Sequence, residues 1–346
     1  MRPIAICVPV RNEARRLPFF LASIARLDTS GLAPPIVFVT LDSCSDASEQ
    51  IVRETRNENS LLDLRIVRLT PCREANAGRA RRAAMHAAFA EFRHWPNARL
   101  LTTDADSVLA PDWLLKNEAA FDTADLIAGY AKRGSRSRDE RRDELEAYLE
   151  SLHDVRRRID PIGYDAPVSH PYTSGASLGI TLAAYERIGG MPALPFGEDA
   201  AFVDYARLAG LRVRQDKAVR VRTSGRRRGR AVNGLAAALK ASDEDAKFGI
   251  PSLLENPWDA CQHYAQQAFS RAAYPRLLSE SDAVRHAAAA GLPPETVVSA
   301  WDEASSADAF VMRVVPVAAT KKPVTLNVAR DLLLEIEANL EPKRTA

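Results

Sequence analysis

The sequence predicts an α/β chain, with a mostly parallel sheet flanked by helices and a helical C-terminal extension. Three observations carry this. Short apolar runs alternate with helix-length segments through the first hundred residues in the order βαβαβαβ, which calls for parallel strands joined by helical crossovers. Polar residues stand directly after those runs, at Arg11-Asn12-Glu13, Asp42 to Asp46 and Asp104 to Asp106, where ligands sit in such sheets. The composition then shifts after residue 235 toward helical stripes.

The elements come in order along the chain. Ile4–Val10 is a continuous apolar run, as in a strand buried on both faces. Glu13–Leu27 has helical periodicity, with Pro18 restricting the regular helix to the residues after it. Ile36–Leu41, Leu64–Leu69 and Leu100–Thr103 read as strands, and Ala47–Arg56 and Arg79–Arg93 as the helices between them. Asp125–Ala131 is a fifth strand, and Arg138–Arg158 a charged helix with Leu145, Leu149, Leu152 and Val155 along one side. Tyr172–Ile188 ends in Gly189-Gly190, Pro195–Asp199 leads into a helix through Leu208, and Leu211–Arg222 is extended. A first domain therefore spans 1–235. In the extension, 236–346, Trp258, Cys261, Ala265, Ala268 and Ala272 form one stripe and Leu326, Ala329, Leu332, Ile336 and Leu340 another. Pro293-Pro294 precedes a short helix at Glu295–Ala304.

With 346 residues, 46% hydrophobic and 27% charged, the chain has an ordinary globular composition. A formal charge of +2 gives no global field for nucleic acid, although arginines cluster at 133–142, 156–158 and 226–230. Cys7, Cys44, Cys72 and Cys261 form no CxxC pair, so a reduced, cytoplasmic protein is expected. The apolar run at the N-terminus is too short for a membrane span and no later stretch reaches that length.

Asp104-Ala105-Asp106 sets two carboxylates two residues apart at the end of a strand. At about 5 Å and an effective dielectric near 20, such a pair repels by roughly 3 kcal/mol. Water relieves this at an exposed turn, and Asp-x-Asp is common in turns and at helix starts. A divalent cation relieves it too, because Mg²⁺ and Mn²⁺ favour carboxylate oxygens and keep positions open for phosphate.

Four ordered blocks together resemble a family 2 glycosyltransferase of the GT-A, Rossmann-like nucleotide-sugar fold, over residues 3–225. Ile6-Cys7-Val8-Pro9-Val10-Arg11-Asn12-Glu13 resembles its first strand and turn. Thr40-Leu41-Asp42-Ser43-Cys44-Ser45-Asp46 is similar to its second-strand turn, Asp104-Ala105-Asp106 to its Asp-x-Asp, and Gly197-Glu198-Asp199 to its acceptor-side acidic block. The resemblance implies metal-dependent, inverting transfer of a sugar from a nucleotide-diphosphate sugar to an acceptor hydroxyl, as in a hexosyltransferase, with Mg²⁺ or Mn²⁺ on Asp106 and Asp104. It further implies a donor site bordered by Pro9 and Arg11, with Glu13 and Asp42 on the nucleoside and Asp104 near the ribose or metal water. Asn76-Ala77-Gly78-Arg79-Ala80-Arg81 resembles the region beside the diphosphate, with Gly78 admitting close approach and Arg79 or Arg81 pairing with phosphate. Asp199 is the expected base, with Glu198 the alternative, and Gly175, Ala176 and Ser177 line the acceptor pocket. Ser177 departs from the family's frequent Asn, which leaves the acceptor class open.

Each residue also has a plainer reading: Glu13 starts a helix, Asp42 caps a turn, Glu198 or Asp199 caps a helix N-terminus, and His170 is structural. Ser224–Arg230 is either a loop closing on phosphate or a solvated basic turn. Two rivals remain, a retaining transferase on the same fold and a non-catalytic nucleotide- or polyanion-binding relative. No glycine-rich turn follows the first strand, against a nucleotidyltransferase or a dinucleotide oxidoreductase. A homodimer through the C-terminal helices is the expected assembly.

Overall fold

The computed structural model describes residues 1–58, 62–72, 75–134, 140–224, 253–274, 279–315 and 322–340. The chain divides into two compact units. One comprises Met1–Ser137, Tyr164–Ala206 and Leu211–Leu239, the other Arg138–Gly163, Arg207–Gly210 and Lys240–Ala346. The expected boundary near residue 235 and the Arg226–Arg230 segment lie outside the described residues.

The first unit opens with β1 (Ile4–Val10), α1 (Leu17–Ile24), β2 (Ile36–Leu41), α2 (Ser48–Glu58), β3 (Asp63–Arg68), α3 (Ala77–Phe92) and β4 (Arg99–Thr102), in the order the sequence predicts. Pro18 sits in the first turn of α1, so the helix starts at Leu17, well inside the segment Glu13–Leu27 that has helical periodicity. Two short elements carry no pattern of their own, β5 (Val108–Leu109) and α4 (Trp113–Ala120). They precede β6 (Leu126–Gly134). Helix α5 (Glu140–Ile159) belongs to the second unit. β7 (Leu178–Thr181), α6 (Leu182–Arg187), α7 (Glu198–Leu208) and β8 (Val213–Ser224) come next.

The strands form one eight-stranded sheet in the order β3-β2-β1-β4-β7-β6-β8-β5. Parallel pairing holds from β3 through β4 and between β6 and β8. The sheet is mixed rather than wholly parallel, because β7 runs antiparallel to both β4 and β6, and β5 antiparallel to β8. β7 is only Leu-Gly-Ile-Thr and enters between strands laid down earlier, so local pattern does not reveal its direction.

The period of two along β1 divides its side chains between two faces. Ile4, Ile6, Val8 and Val10 join Leu17, Phe20, Val37, Val39 and Trp113 in one buried cluster. Helix α3 packs on β1 and β2 and buries Ala80, Ala84 and Ala88, small residues that let it sit close to the strands, together with Met85.

The second unit joins α5 to β9 (Leu253–Leu254), α8 (Pro257–Ala273), α9 (Glu280–Ala290), α10 (Pro294–Glu303), α11 (Ala307–Val314), β10 (Val324–Thr325) and α12 (Leu326–Leu340). Tyr148, Leu152 and Val155 of α5 pack with Ala260, Ala329, Leu333 and Ile336. The apolar stripes are offset from expectation: Trp258 and Leu340 are exposed while Ala260 and Leu333 are buried. Asp160 receives Arg271 Nε and Nη2 at 2.8 and 3.0 Å, and Arg271 also bonds Asp308, a paired buried charge of the kind an apolar interior tolerates. Among the described residues, no helix is long and apolar enough to cross a membrane.

Candidate active site

Parallel pairing brings the carboxyl ends of β2, β1 and β4 side by side, with Val10 opposite Leu41 and Cys7 opposite Thr102. The three polar blocks after these strands therefore share one rim, although they lie 30 to 90 residues apart in sequence.

The first part of the rim is built by turns. Asn12 has φ +53°, a conformation Asn tolerates better than most residues. Its Oδ1 accepts from Ser45 N at 2.6 Å and Asp46 N at 3.3 Å, fastening the β1 turn to the β2 turn. Asp46 in turn accepts from Ala14 N and from Ser48 N and Oγ, and Ser48 Oγ accepts from Glu13 N at 2.8 Å. Glu13 is thereby held at the rim, 8% exposed. Pro9 is half-buried on β1, and Arg11 Nη1 donates to Ala75 O at 2.6 Å. Asp42 is 1% exposed. Its Oδ1 accepts from Arg79 Nη1 and from Ser43 Oγ, both at 3.1 Å, while its Oδ2 has no partner among the described residues. A buried carboxylate oxygen left so is a feature that an incoming N–H or O–H donor explains.

The second part is built across the fold around Arg81. This side chain is buried; its Nη2 donates to Asp104 Oδ1 at 2.8 Å and its Nη1 to Thr102 Oγ1 and Gly175 O at 2.7 and 2.6 Å. Its Nε reaches Glu198 Oε1 at 3.4 Å. A Cβ at Gly175 would fall 2.4 Å from Arg81 Nη2, so any larger residue there would push the guanidinium out of this arrangement. The N–H of Gly175 donates to Asp199 Oδ2 at 2.9 Å. One peptide segment thus links Arg81 to Asp199. Asp106 accepts from Thr223 Oγ1 at 3.3 Å and from Ser224 Oγ, at the end of β8.

The electrostatics of this end are acidic. Burial raises the Asp104 pKa, with Asp106 and Asp199 adding to the rise and Arg81 opposing it. Glu198 is raised likewise, chiefly by burial and further by Asp199 and Asp104. Two carboxylates share one guanidinium, and two more stand in the same site. Such a set of hard oxygen donors suits a divalent cation that completes its shell with water and phosphate. Among the described residues no three His, Cys, Asp or Glu side chains are grouped as a self-sufficient metal cage.

Several expectations change in the structure. Arg81 spends its donors on protein groups, so it orders the acidic residues instead of meeting phosphate. Arg79 is likewise committed, to Asp42, Thr70 O and Cys72 Sγ. The close approach at Gly78 is to protein: a Cβ there would lie 2.2 Å from Leu194 O and 3.1 Å from Glu198 Cβ. Ala176 and Ser177 are each 1% exposed, and Ser177 Oγ accepts from Trp113 Nε1 at 3.2 Å, so they underlie the site instead of lining it. His170 is structural. Its Nδ1 accepts from Tyr172 N and its Nε2 meets Ala128 O, with burial pushing its pKa down to about 4. Thr223, the pairing of Arg79 with Asp42 and the role of Asn12 as a clamp between two turns are the contributions that sequence reasoning missed. Asn12 itself was visible in the polar block after the first strand.

A strand-end acidic rim on a mixed, mostly parallel sheet with flanking helices defines the GT-A class of glycosyltransferase fold. The family model for glycosyl transferase family 2 matches residues 5–177, half of the chain, and the chain belongs to that family. It is an enzyme of the glycosyltransferase type. Among solved structures it is similar to residues 1–349 of S. aureus TarS in complex with UDP-GlcNAc, at 15% identity over 90% of each chain, with a TM-score of 0.50. It is also similar to the mannosyltransferase PcManGT from Pyrobaculum calidifontis in complex with GDP-Man and Mn²⁺, at 19% identity over 91% of this chain and 86% of that one, with a TM-score of 0.50. Against a longer S. aureus TarS structure, the match is 19% identical with a TM-score of 0.46, and covers 64% of this chain but 36% of that one. No curated protein matches the chain in sequence.

Proposed function

We propose that this chain transfers a hexose from a nucleotide-diphosphate sugar to an acceptor hydroxyl by single displacement with inversion. The observation that carries the reading is the Arg81 bridge, which draws Asp104 and the Glu198-Asp199 block to one place. A mannosyltransferase of the same fold holds GDP-Man with Mn²⁺, and TarS holds UDP-GlcNAc; the reading extends that donor class to this chain.

Asp42 and Glu13 hold the nucleoside. The unpaired Asp42 Oδ2 receives a base N–H or a ribose hydroxyl, and Asn12 keeps the two turns in register for it. Asp106 and Asp104 are the residues that would hold Mg²⁺ or Mn²⁺, which when bound offsets the charge gathering on the departing diphosphate. Asp199 is the base. Its Oδ2 is oriented by Gly175 N–H, whereas Glu198 is buried against Arg81. The acceptor hydroxyl gives its proton to Asp199 as its oxygen bonds to the anomeric carbon. The bond from that carbon to the diphosphate oxygen breaks on the opposite face, and its electron pair leaves with the nucleoside diphosphate. A reduced, cytoplasmic setting accords with four free cysteines.

The test is a panel of UDP- and GDP-sugars, screened for nucleotide release with and without Mn²⁺. The wild-type chain is expected to release nucleotide only with metal, and Asp106→Ala to lose release by at least about a hundredfold while keeping its circular dichroism and melting temperature. Full release by that variant would overturn the metal assignment.

A further inference from the structure

Sheet register locates the side of the acidic site that lies away from the nucleoside end. Thr102 of β4, Leu178 of β7 and Ala128 of β6 stand in one row, and β4 and β6 run the same way because each is antiparallel to β7. Two residues further on, Asp104 and Tyr130 are therefore level at the rim, two strand spacings or about 10 Å apart. Gly175, whose N–H holds Asp199, precedes Leu178 of the same row. β1 and β2, whose ends carry Glu13 and Asp42, are on the other side of β4.

Beyond that row β6 continues against β8, with Tyr130 opposite Arg220, Lys132 opposite Arg222 and Gly134 opposite Ser224. Burial alternates along β8: Val219 and Val221 are buried, Arg220 and Arg222 exposed, and Lys132 is exposed on β6. Cross-strand partners share a face, so Tyr130, Lys132, Arg220 and Arg222 form one outer surface. It ends at Ser224, whose hydroxyl donates to Asp106. Two observations set this surface apart from an ordinary solvated strand. Lys132 and Arg222 are like charges directly opposite each other, which costs stability; among the described residues no acid pairs with them or with Arg220. In addition, β8 bulges between the partners of Gly129 and Tyr130, a device common beside active sites. The bulge brings Lys217 Nζ to 5.2 Å from the centre of the Tyr130 ring, while its acid, Asp216, is already paired with Arg214 at 2.8 Å. An anion on this face would relieve the repulsion.

We propose that Lys132, Arg220 and Arg222 hold the phosphate of a phosphate-bearing sugar or polyol acceptor, with its carbon skeleton against Tyr130 and a hydroxyl turned to Asp199. This role rests on the transferase reading and names the acceptor class for it. The donor diphosphate has the same chemistry, but the basic row lies on the side of β4 away from Glu13 and Asp42, where the donor's nucleoside does not reach.

Isothermal titration calorimetry of the full chain with glucose 6-phosphate and with glycerol 3-phosphate, each beside its neutral parent, tests this. The titrations are run with and without saturating UDP or GDP and Mn²⁺. Saturable binding of at least one of the two phosphates is expected in both conditions, with its neutral parent at least roughly tenfold weaker. The double variant Lys132→Gln/Arg222→Gln should bind that phosphate roughly tenfold more weakly or worse, with nucleotide affinity within a small factor of wild type. It should melt at the same or a higher temperature, because it removes opposed like charges; a structural role would lower the melting temperature instead. Arg53→Gln, in an exposed ion pair of α2, should bind the phosphate as wild type. The proposal is overturned by the absence of saturable binding, by equal affinity in the double variant, by equal binding of the neutral parent or by equal loss in Arg53→Gln. Blocking by bound nucleotide would give the row to the donor diphosphate and overturn it too. Failure of both UDP and GDP to bind with Mn²⁺ would instead remove the transferase reading, and the acceptor role with it, whatever the phosphates do.

Discussion

Helix α3 sends two arginines, two residues apart, to two aspartates of the rim, and the two ends differ in what each arginine leaves undone. Arg79 meets Asp42 with its own side chain 29% exposed while the aspartate is 1% exposed. Arg81 meets Asp104 the other way round, the arginine 3% exposed and the aspartate 34%. At the Asp42 end a shielded carboxylate has one oxygen satisfied and one awaiting a donor, which suits a neutral N–H or O–H. At the Asp104 end one arginine is divided between two acids, with further acids beside them, which suits a cation. The same pairing of residue types thus yields opposite polarity of demand, set by which partner is buried.

The largest effect is expected on the acceptor side of the Arg81 end. Asp199→Asn should lower kcat by about 10² to 10⁴ and leave donor affinity within a small factor of wild type; a normal kcat would remove Asp199 as base and shorten that end of the comparison to Asp104 and Glu198. Next comes stability. Arg81→Ala leaves Asp104 and buried Glu198 without their shared partner, so denaturant unfolding should show a loss of about 3–5 kcal/mol. Arg79→Ala should cost about 1.5–3 kcal/mol, because it strips a partner from one acid instead of two and Ser43 Oγ still donates to the same Asp42 oxygen. Equal losses in the two variants would break the contrast.

Smaller effects sharpen the Asp42 end. Asp42→Asn should weaken UDP or GDP binding in calorimetry by about tenfold to a hundredfold, with kcat at saturating donor largely retained. An effect confined to kcat would move Asp42 from nucleoside to chemistry. The smallest effect is on pH dependence. Asp104 and Glu198 have pKa values raised in the folded state, so between the ordinary carboxylate range and those raised values the folded chain binds more protons than the unfolded one. Their contribution to stability is therefore greatest on the acid side of that window and falls as pH rises through it. Thermal melts of Asp104→Asn should show a shallower decline across the window than wild type; an unchanged slope would exclude Asp104 as a source of it.

Much of this was legible from the residues. The runs that became β1 to β4 are apolar over their own lengths, and the acids after them mark strand ends whatever the rest of the chain does. Asp104 and Asp106 could be singled out for the same reason, and Glu198 and Asp199, which open α7, by their resemblance to the family's acceptor-side acidic block. The partners could not. Arg81 and Glu198 are 117 residues apart, as are Asp106 and Thr223, and nothing near Arg81 distinguishes a phosphate ligand from a carboxylate clamp. Gly78 and Gly175 illustrate the limit well. A glycine announces close approach, but only the fold says that one approaches Leu194 O and the other the Arg81 guanidinium.

By itself the sequence determined the alternation of strands and helices and the acids that stand at the strand ends, because side-chain periodicity and strand-end polarity are local properties, while the resemblance of four blocks to a known family implied the kind of site they make. The tertiary structure alone decided the direction of β7, the assignment of α5 to the second unit, and the use of Arg79 and Arg81 as anchors for acids. The physical reason is that a buried charge takes its function from whichever opposite charge is folded against it, and that neighbour is chosen by packing across the whole chain.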